Sequence, residues 1–295
     1  MKRLFIYGAV LYILLLTGCV AGKSTDLLPM NIGFDPVIGH DVRASEESIP
    51  FPEDWTFNVW ATRTSDRGTT ISDATISHGS EGWIANAIWP ESSLVFAAYY
   101  PSDLKPEYAP GHGFVLRGFN ASNGDADVLM AKEVEGSPEA EGLVTLHFEH
   151  ILSRVDFRVR HSLAQDIEVI AKKVVLKGFD LTGDYNIAGD HKWTIDDKTG
   201  SIVVYDAGTG EGINVSDSSQ YIGDEYFTIP QHCKAEIVVT FNVRIGNGGW
   251  VVDEVSTGEL DTDWQPGTQY TYTVNLTDTR LTYTTGISSW TSKEY

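Results

Sequence analysis

The chain has 295 residues, with 21 lysines and arginines against 41 aspartates and glutamates, and only two cysteines. Two cysteines exclude a disulfide-framed miniprotein, and a formal charge of −20 repels phosphate backbones, so nucleic acid is set aside as a partner. Hydrophobic residues at 42% and aromatics at 11% separate the chain from disordered acidic proteins, and its length suits two domains.

Lys2 and Arg3 precede an apolar run from Leu4 to Leu16, too short to span a bilayer and matched to a secretory leader. The run closes on Leu16-Thr17-Gly18-Cys19, which resembles a bacterial lipobox, where the leader is cut before the cysteine and the sulfur is acylated. Residues 1–18 are therefore expected to be a lipoprotein signal peptide, with Cys19 lipidated and held by outer-membrane lipid. Residues 19–30 mix small, polar and apolar types without a period and read as a tether. Cys233 is then left without an intrachain partner and reads as a small buried apolar residue.

From there the period is two. Ile32, Phe34, Ile38 and Val42 share one parity with Pro36, as in a strand with one buried face. Proline cannot donate to a ladder, so this first strand is expected at an edge. The alternation returns at Trp55, Phe57, Val59 and Ala61, then at Leu94, Phe96, Ala98 and Tyr100, and at Val155, Phe157 and Val159. It is cleanest over Ile237 to Ile245 and over Tyr270, Tyr272, Val274 and Leu276. Asn123-Gly124, Asn247-Gly248-Gly249 and Pro266-Gly267 punctuate these runs, and no stretch after the leader holds a 3.6-residue period. The expectation is an all-β chain of two sandwiches in tandem, 31–162 and 163–295, divided where the alternation lapses between His161 and Asp166.

Few residues ask for chemistry. His147 and His150 are three apart, which on a strand turns them to opposite faces, so they are expected as an exposed residue and a satisfied turn residue, not a metal pair. Asp180, Asp184, Asn186 and Asp190 surround one apparent hairpin without the spacing of a calcium loop, and turn chemistry explains them. Gly208, Gly210 and Gly212 follow no strand-to-helix unit that could cradle a phosphate. No nucleophile elbow or zinc helix motif is present, so neither an enzyme nor a cofactor is expected. Eight tryptophans allow a second reading, a surface glycan-binding lipoprotein stacking sugars on Trp83, Trp193 or Trp250, although core and edge packing also accounts for them.

Several segments together resemble the fimbrillin family, subunits of type V pili in Bacteroidales-type bacteria. They are Arg43 ahead of Trp55 to Ala61, Trp89-Pro90 before Leu94 to Pro101, Asp127 to Ala131, Leu146 to Val155, Tyr270 to Leu276, and Ile287 to Trp290. The resemblance runs over nearly the whole chain in the expected order. It implies two transthyretin-like Greek-key sandwiches, export as a lipoprotein to the cell surface and fimbrium, and a role in adhesion with other pilus subunits as partners. Host or bacterial surface glycans or proteins are further possible ligands. It also implies cleavage after an arginine following the first strand, here Arg43. The strand carrying Ile32, Phe34, Ile38 and Val42 would then leave, and a C-terminal strand of another subunit would replace it. Leu281, Tyr283, Ile287 and Trp290 are the candidate donor anchors, and the same stretch could equally be a permanent last strand of its own domain. With only five residues after Trp290, the tail is short for a detachable donor, which favours a tip or other non-shaft subunit.

Overall fold

The structure is a computed structural model that describes residues 30–39, 48–138, 143–189, 192–278 and 280–290. Cys19, Val42, Arg43 and Asp190 lie outside the described residues. Within them the chain is all-β, with 23 strands and no α-helix.

The N-terminal half is built on β1 (Asn31–Ile38), β2 (Ile49–Pro50), β3 (Thr56–Arg63), β4 (Thr69–Gly79), β5 (Gly82–Ile88), β6 (Leu94–Tyr100), β9 (Leu129–Gly136) and β10 (Val144–His150). Their order is β10-β9-β6-β3-β4-β5-β1-β2, and β1 pairs with β10 as well. That second pairing closes seven strands into a barrel-like ring, where two facing sheets were expected. Alternation in sequence reports only that one face of each strand is buried, and a closed ring buries one face as a sandwich does. Phe34, Phe57, Trp83, Phe96 and Phe148 fill the interior.

The C-terminal half is a sandwich. One sheet holds β11 (Ser153–His161), β17 (Gln220–Tyr221), β18 (Tyr226–Thr228), β22 (Thr268–Leu276) and β23 (Leu281–Ser289). The other holds β12 (Ile167–Asp180), β15 (Thr199–Asp206), β16 (Ile213–Val215), β19 (His232–Ile245), β20 (Val251–Ser256) and β21 (Leu260–Asp263). Phe157 on β11, Tyr272 on β22, Leu176 on β12 and Phe241 on β19 meet in one core. β11 runs parallel to β22 from Arg154↔Gln269 to His161↔Leu276, so it belongs to the second core, and the polar stretch from His161 to Asp166 connects two strands of that sandwich.

A third sheet joins the halves. β7 (Glu107–Ala109) and β8 (Gly113–Asn120) come from the first half, β13 (Thr182–Asn186) and β14 (Trp193–Ile195) from the second, in the order β14-β13-β8-β7. Beneath it Tyr99, Phe114, Met130, Leu152, Tyr185 and Phe227 form a separate buried cluster that Trp290 completes.

Candidate functional site: the β1 slot and the β23 edge

Ile32, Phe34 and Ile38 point into the barrel and are buried, as their shared parity requires. The Phe34 ring stands edge-on to Phe57 and Phe96, with centroids 6.0 and 5.7 Å away. Burying three such side chains contributes roughly 1.5–3 kcal/mol each before chain entropy is counted.

β1 is not an edge strand. Its first half pairs antiparallel with β5, from Asn31↔Ile88 to Phe34↔Trp83, and its second half pairs parallel with β10, from Phe34↔Val144 to Ile38↔Phe148. β2 covers the other side of Val37 and Ile38. The backbone explains how Pro36 fits such a position. The Gly39 amide donates to the Phe148 carbonyl at 3.0 Å, so odd residues here face β10, while the Pro36 carbonyl accepts from the Phe51 amide at 3.1 Å. Pro36 therefore faces the side where β5 has already ended, and its missing N–H takes nothing from the β10 ladder. Without β1 the ring opens between β5 and β10, exposing two unpaired strand edges and a slot floored by aromatic rings.

β23 is the opposite case. It pairs with β22 over nine positions, from Thr268↔Ser289 to Leu276↔Leu281, and with no other strand among the described residues. Most of it is exposed on both faces. The four expected anchors separate into two kinds: Leu281 and Trp290 are buried, whereas Tyr283 and Ile287 are 37% and 67% exposed. Trp290 lies just past the strand between His150 and Phe227, with ring centroids at 3.8 and 5.1 Å and planes 22° apart in both cases, and its amide donates to the Gly267 carbonyl. His150 is a buried residue at the end of β10, not a turn residue, and its Nδ1 lies 2.6 Å from Asp127 Oδ2. Asp127 Oδ1 in turn accepts the Val128 amide. The pairing with Asp127 was invisible in sequence because it joins the end of β10 to the β8–β9 loop, 23 positions earlier; only the closeness of His150 to an apolar run signalled burial.

The fimbrillin-like family matches residues 43–290. The chain belongs to that family. Among solved structures, a fimbrial protein of Bacteroides vulgatus superposes with a TM-score of 0.63 at 15% identity, covering 88% of this chain and 99% of its own. A candidate cell adhesion protein of Bacteroides uniformis gives 0.54 at 19% identity, with 88% and 99% covered. One from Bacteroides ovatus gives 0.55 at 17%, with 90% and 100% covered. At these identities the likeness is one of fold. No curated protein matches the chain.

The other candidate residues of this fimbrillin are accounted for by packing. Among the described residues no three His, Cys, Asp or Glu side chains are close enough to hold a metal. Asp184 accepts from the Gly118 amide and from Arg117, which together hold its carboxyl below the usual range, and Asn186 accepts from the Ala188 amide as in a turn. Asp180 is buried, and burial pushes its carboxyl up. The Gly210 amide donates to Ala207, so the Gly208–Gly212 segment is a turn between β15 and β16. Trp83 is buried inside the barrel, and the Trp193 indole nitrogen donates to the Ile151 carbonyl at 2.8 Å. Of the three tryptophans considered for sugar stacking, only Trp250 is exposed, and the Arg244 guanidinium lies 4.5 Å from its ring centre. Cys233 is buried, and burial, reinforced by the charges of Asp180, Asp261 and Asp263, pushes its thiol up to about 12.

Proposed function

We propose that this fimbrillin-like protein is a surface pilus subunit for cell adhesion, exported as a lipoprotein through Cys19, that assembles with other subunits by strand exchange. In this reading cleavage after Arg43 frees the segment that carries Ile32, Phe34, Ile38 and Val42, and the C-terminal strand of another subunit enters the slot. The observation that carries it is the contrast between β1, which alone joins β5 to β10, and β23, which has one neighbour and two open faces. The apolar spacing agrees as well. Leu281, Tyr283 and Ile287 lie at offsets 0, +2 and +6, the same as Ile32, Phe34 and Ile38, so a β23-like strand could present three side chains to the same three sites. Trp290 has the other parity and would lie outside the slot.

Removing β1 gives up backbone hydrogen bonds worth about 0.5–1.5 kcal/mol net each, together with its buried apolar surface. An incoming strand restores both, while Tyr283 and Ile287 lose little by leaving a surface where they are already exposed. A trypsin-type protease applied to the purified protein, followed by mass spectrometry and size-exclusion chromatography, tests the mechanism. The expected result is one nick after Arg43, loss of the fragment before it, and growth of oligomers. A nicked protein that keeps the fragment and stays monomeric overturns strand exchange. An Arg43 that resists cleavage in a lipidated protein would assign it to the anchoring end of a pilus.

A further inference from the structure

A cleft of about 740 Å³ opens where the two halves meet, below the β8–β9 loop. Asp125 comes from that loop, Arg154 and Asp156 from β11, Tyr221 from β17, and Asp224 and Glu225 from the β17–β18 loop. Its walls are fixed to one another. The Phe227 amide donates to the Gly124 carbonyl at 2.8 Å, and Gly124 has φ +59° with the Tyr226 ring 1.8 Å from where a Cβ would sit, so only glycine allows this approach.

Asp156 is the telling residue. It is only 5% exposed, and its Oδ2 accepts from Gln269 Nε2 at 2.6 Å, but its Oδ1 has no hydrogen-bond partner. A carboxylate oxygen withdrawn from water and left without a donor is costly, and a site that tolerates one is set to receive a donor. Neither nearby cation pairs with Asp156: Arg154 pairs with Glu225, and the Arg158 guanidinium lies over the Tyr221 ring, 4.2 Å from its centre, although each keeps a buried Nε without an acceptor. Asp125 and Asp224 take part in none of the ion pairs among the described residues. The carboxylates are spread too widely to chelate one metal ion. Spread negative charge around a cleft of this size suits a ligand with separated positive groups and a flexible stem between them.

We infer that the cleft binds an organic cation, an amine or guanidinium borne by a polyamine or by a basic peptide side chain, with Asp156 as the buried anchor and Asp125 and Asp224 at the mouth. The site does not depend on strand exchange. Calorimetric titration of the intact mature protein with spermidine, with acetyl-Gly-Lys-Gly-Lys-amide, and with the same peptide acetylated on both lysines tests the inference. Saturable binding of spermidine or the free-lysine peptide, weakened by salt and lost on acetylation, is expected, and whichever of the two binds identifies the source of the cation. Asp156→Asn, which keeps an acceptor for Gln269, should bind about tenfold more weakly, as fits the loss of one charged hydrogen bond. The exposed pair Asp125→Asn with Asp224→Asn leaves the fold untouched and should also weaken binding, so the result stands even if Asp156→Asn fails to fold. No saturable heat with either basic probe, equal binding of the acetylated peptide, or unchanged affinity in the Asp125/Asp224 double variant overturns it.

Discussion

Phe34 shows how one side chain ties the closing strand to the barrel. Its ring meets two others edge-on inside a closed ring of strands, where little room exists for collapse around a hole. Phe34→Ala should therefore destabilise the protein by about 3–5 kcal/mol, read as a fall in the urea midpoint. An unchanged midpoint would show that β1 is not packed as described. Cys233 makes a second test at this scale. Its thiol, raised to about 12 by burial, should not react with a disulfide reagent at pH 8 until the protein unfolds. A thiol raised on folding adds stability that is complete below its unfolded value of about 8.5 and is lost as pH rises toward about 12, so Cys233 contributes to alkaline unfolding and not to acid unfolding. Pro36 marks a limit of reading residues one at a time. Its missing amide was evident in sequence, but which neighbour that amide would have faced is decided by where β5 stops, a fact of pairing and not of composition.

At the scale of elements, β23 should behave unevenly along its length. Leu281→Ala, at the buried end, should cost about 2–5 kcal/mol, while Ile287→Asp, 67% exposed, should change stability by less than about 0.5 kcal/mol. Thermal unfolding of the two variants checks this, and a large loss for Ile287→Asp would mean that an unseen surface covers the strand. The strands themselves were legible, because Val155, Phe157 and Val159 or Tyr270, Tyr272 and Val274 alternate as a half-buried sheet must. Their partners were not. Parallel pairing of β1 with β10 brings together residues more than one hundred positions apart, and nothing in the local alternation of either strand encodes the other. The same holds for the candidate donor: its apolar positions were visible, but its one-sided pairing and open faces were not.

For the whole molecule, the junction cluster is the decisive region. Tyr99 and Met130 from the barrel strands, Phe227 from the sandwich and Trp290 from the tail are buried together, so the two halves are expected to melt as one cooperative unit. Trp290→Ala removes the ring stacked on His150 and Phe227 and should split the calorimetric transition in two. A single sharp transition in that variant would show that the other junction residues suffice. Two cores could be anticipated from length and alternation, but the core that β11 joins could not, because a short polar stretch looks the same between domains as between neighbouring strands. The sheet shared by the halves has one more consequence, for synthesis. Residues 107–120 leave the ribosome well before 182–195, yet β8 is paired on one side only until β13 arrives. The first half thus emerges with an open flank that invites mispairing, and the chain must reach past its midpoint before that flank is covered.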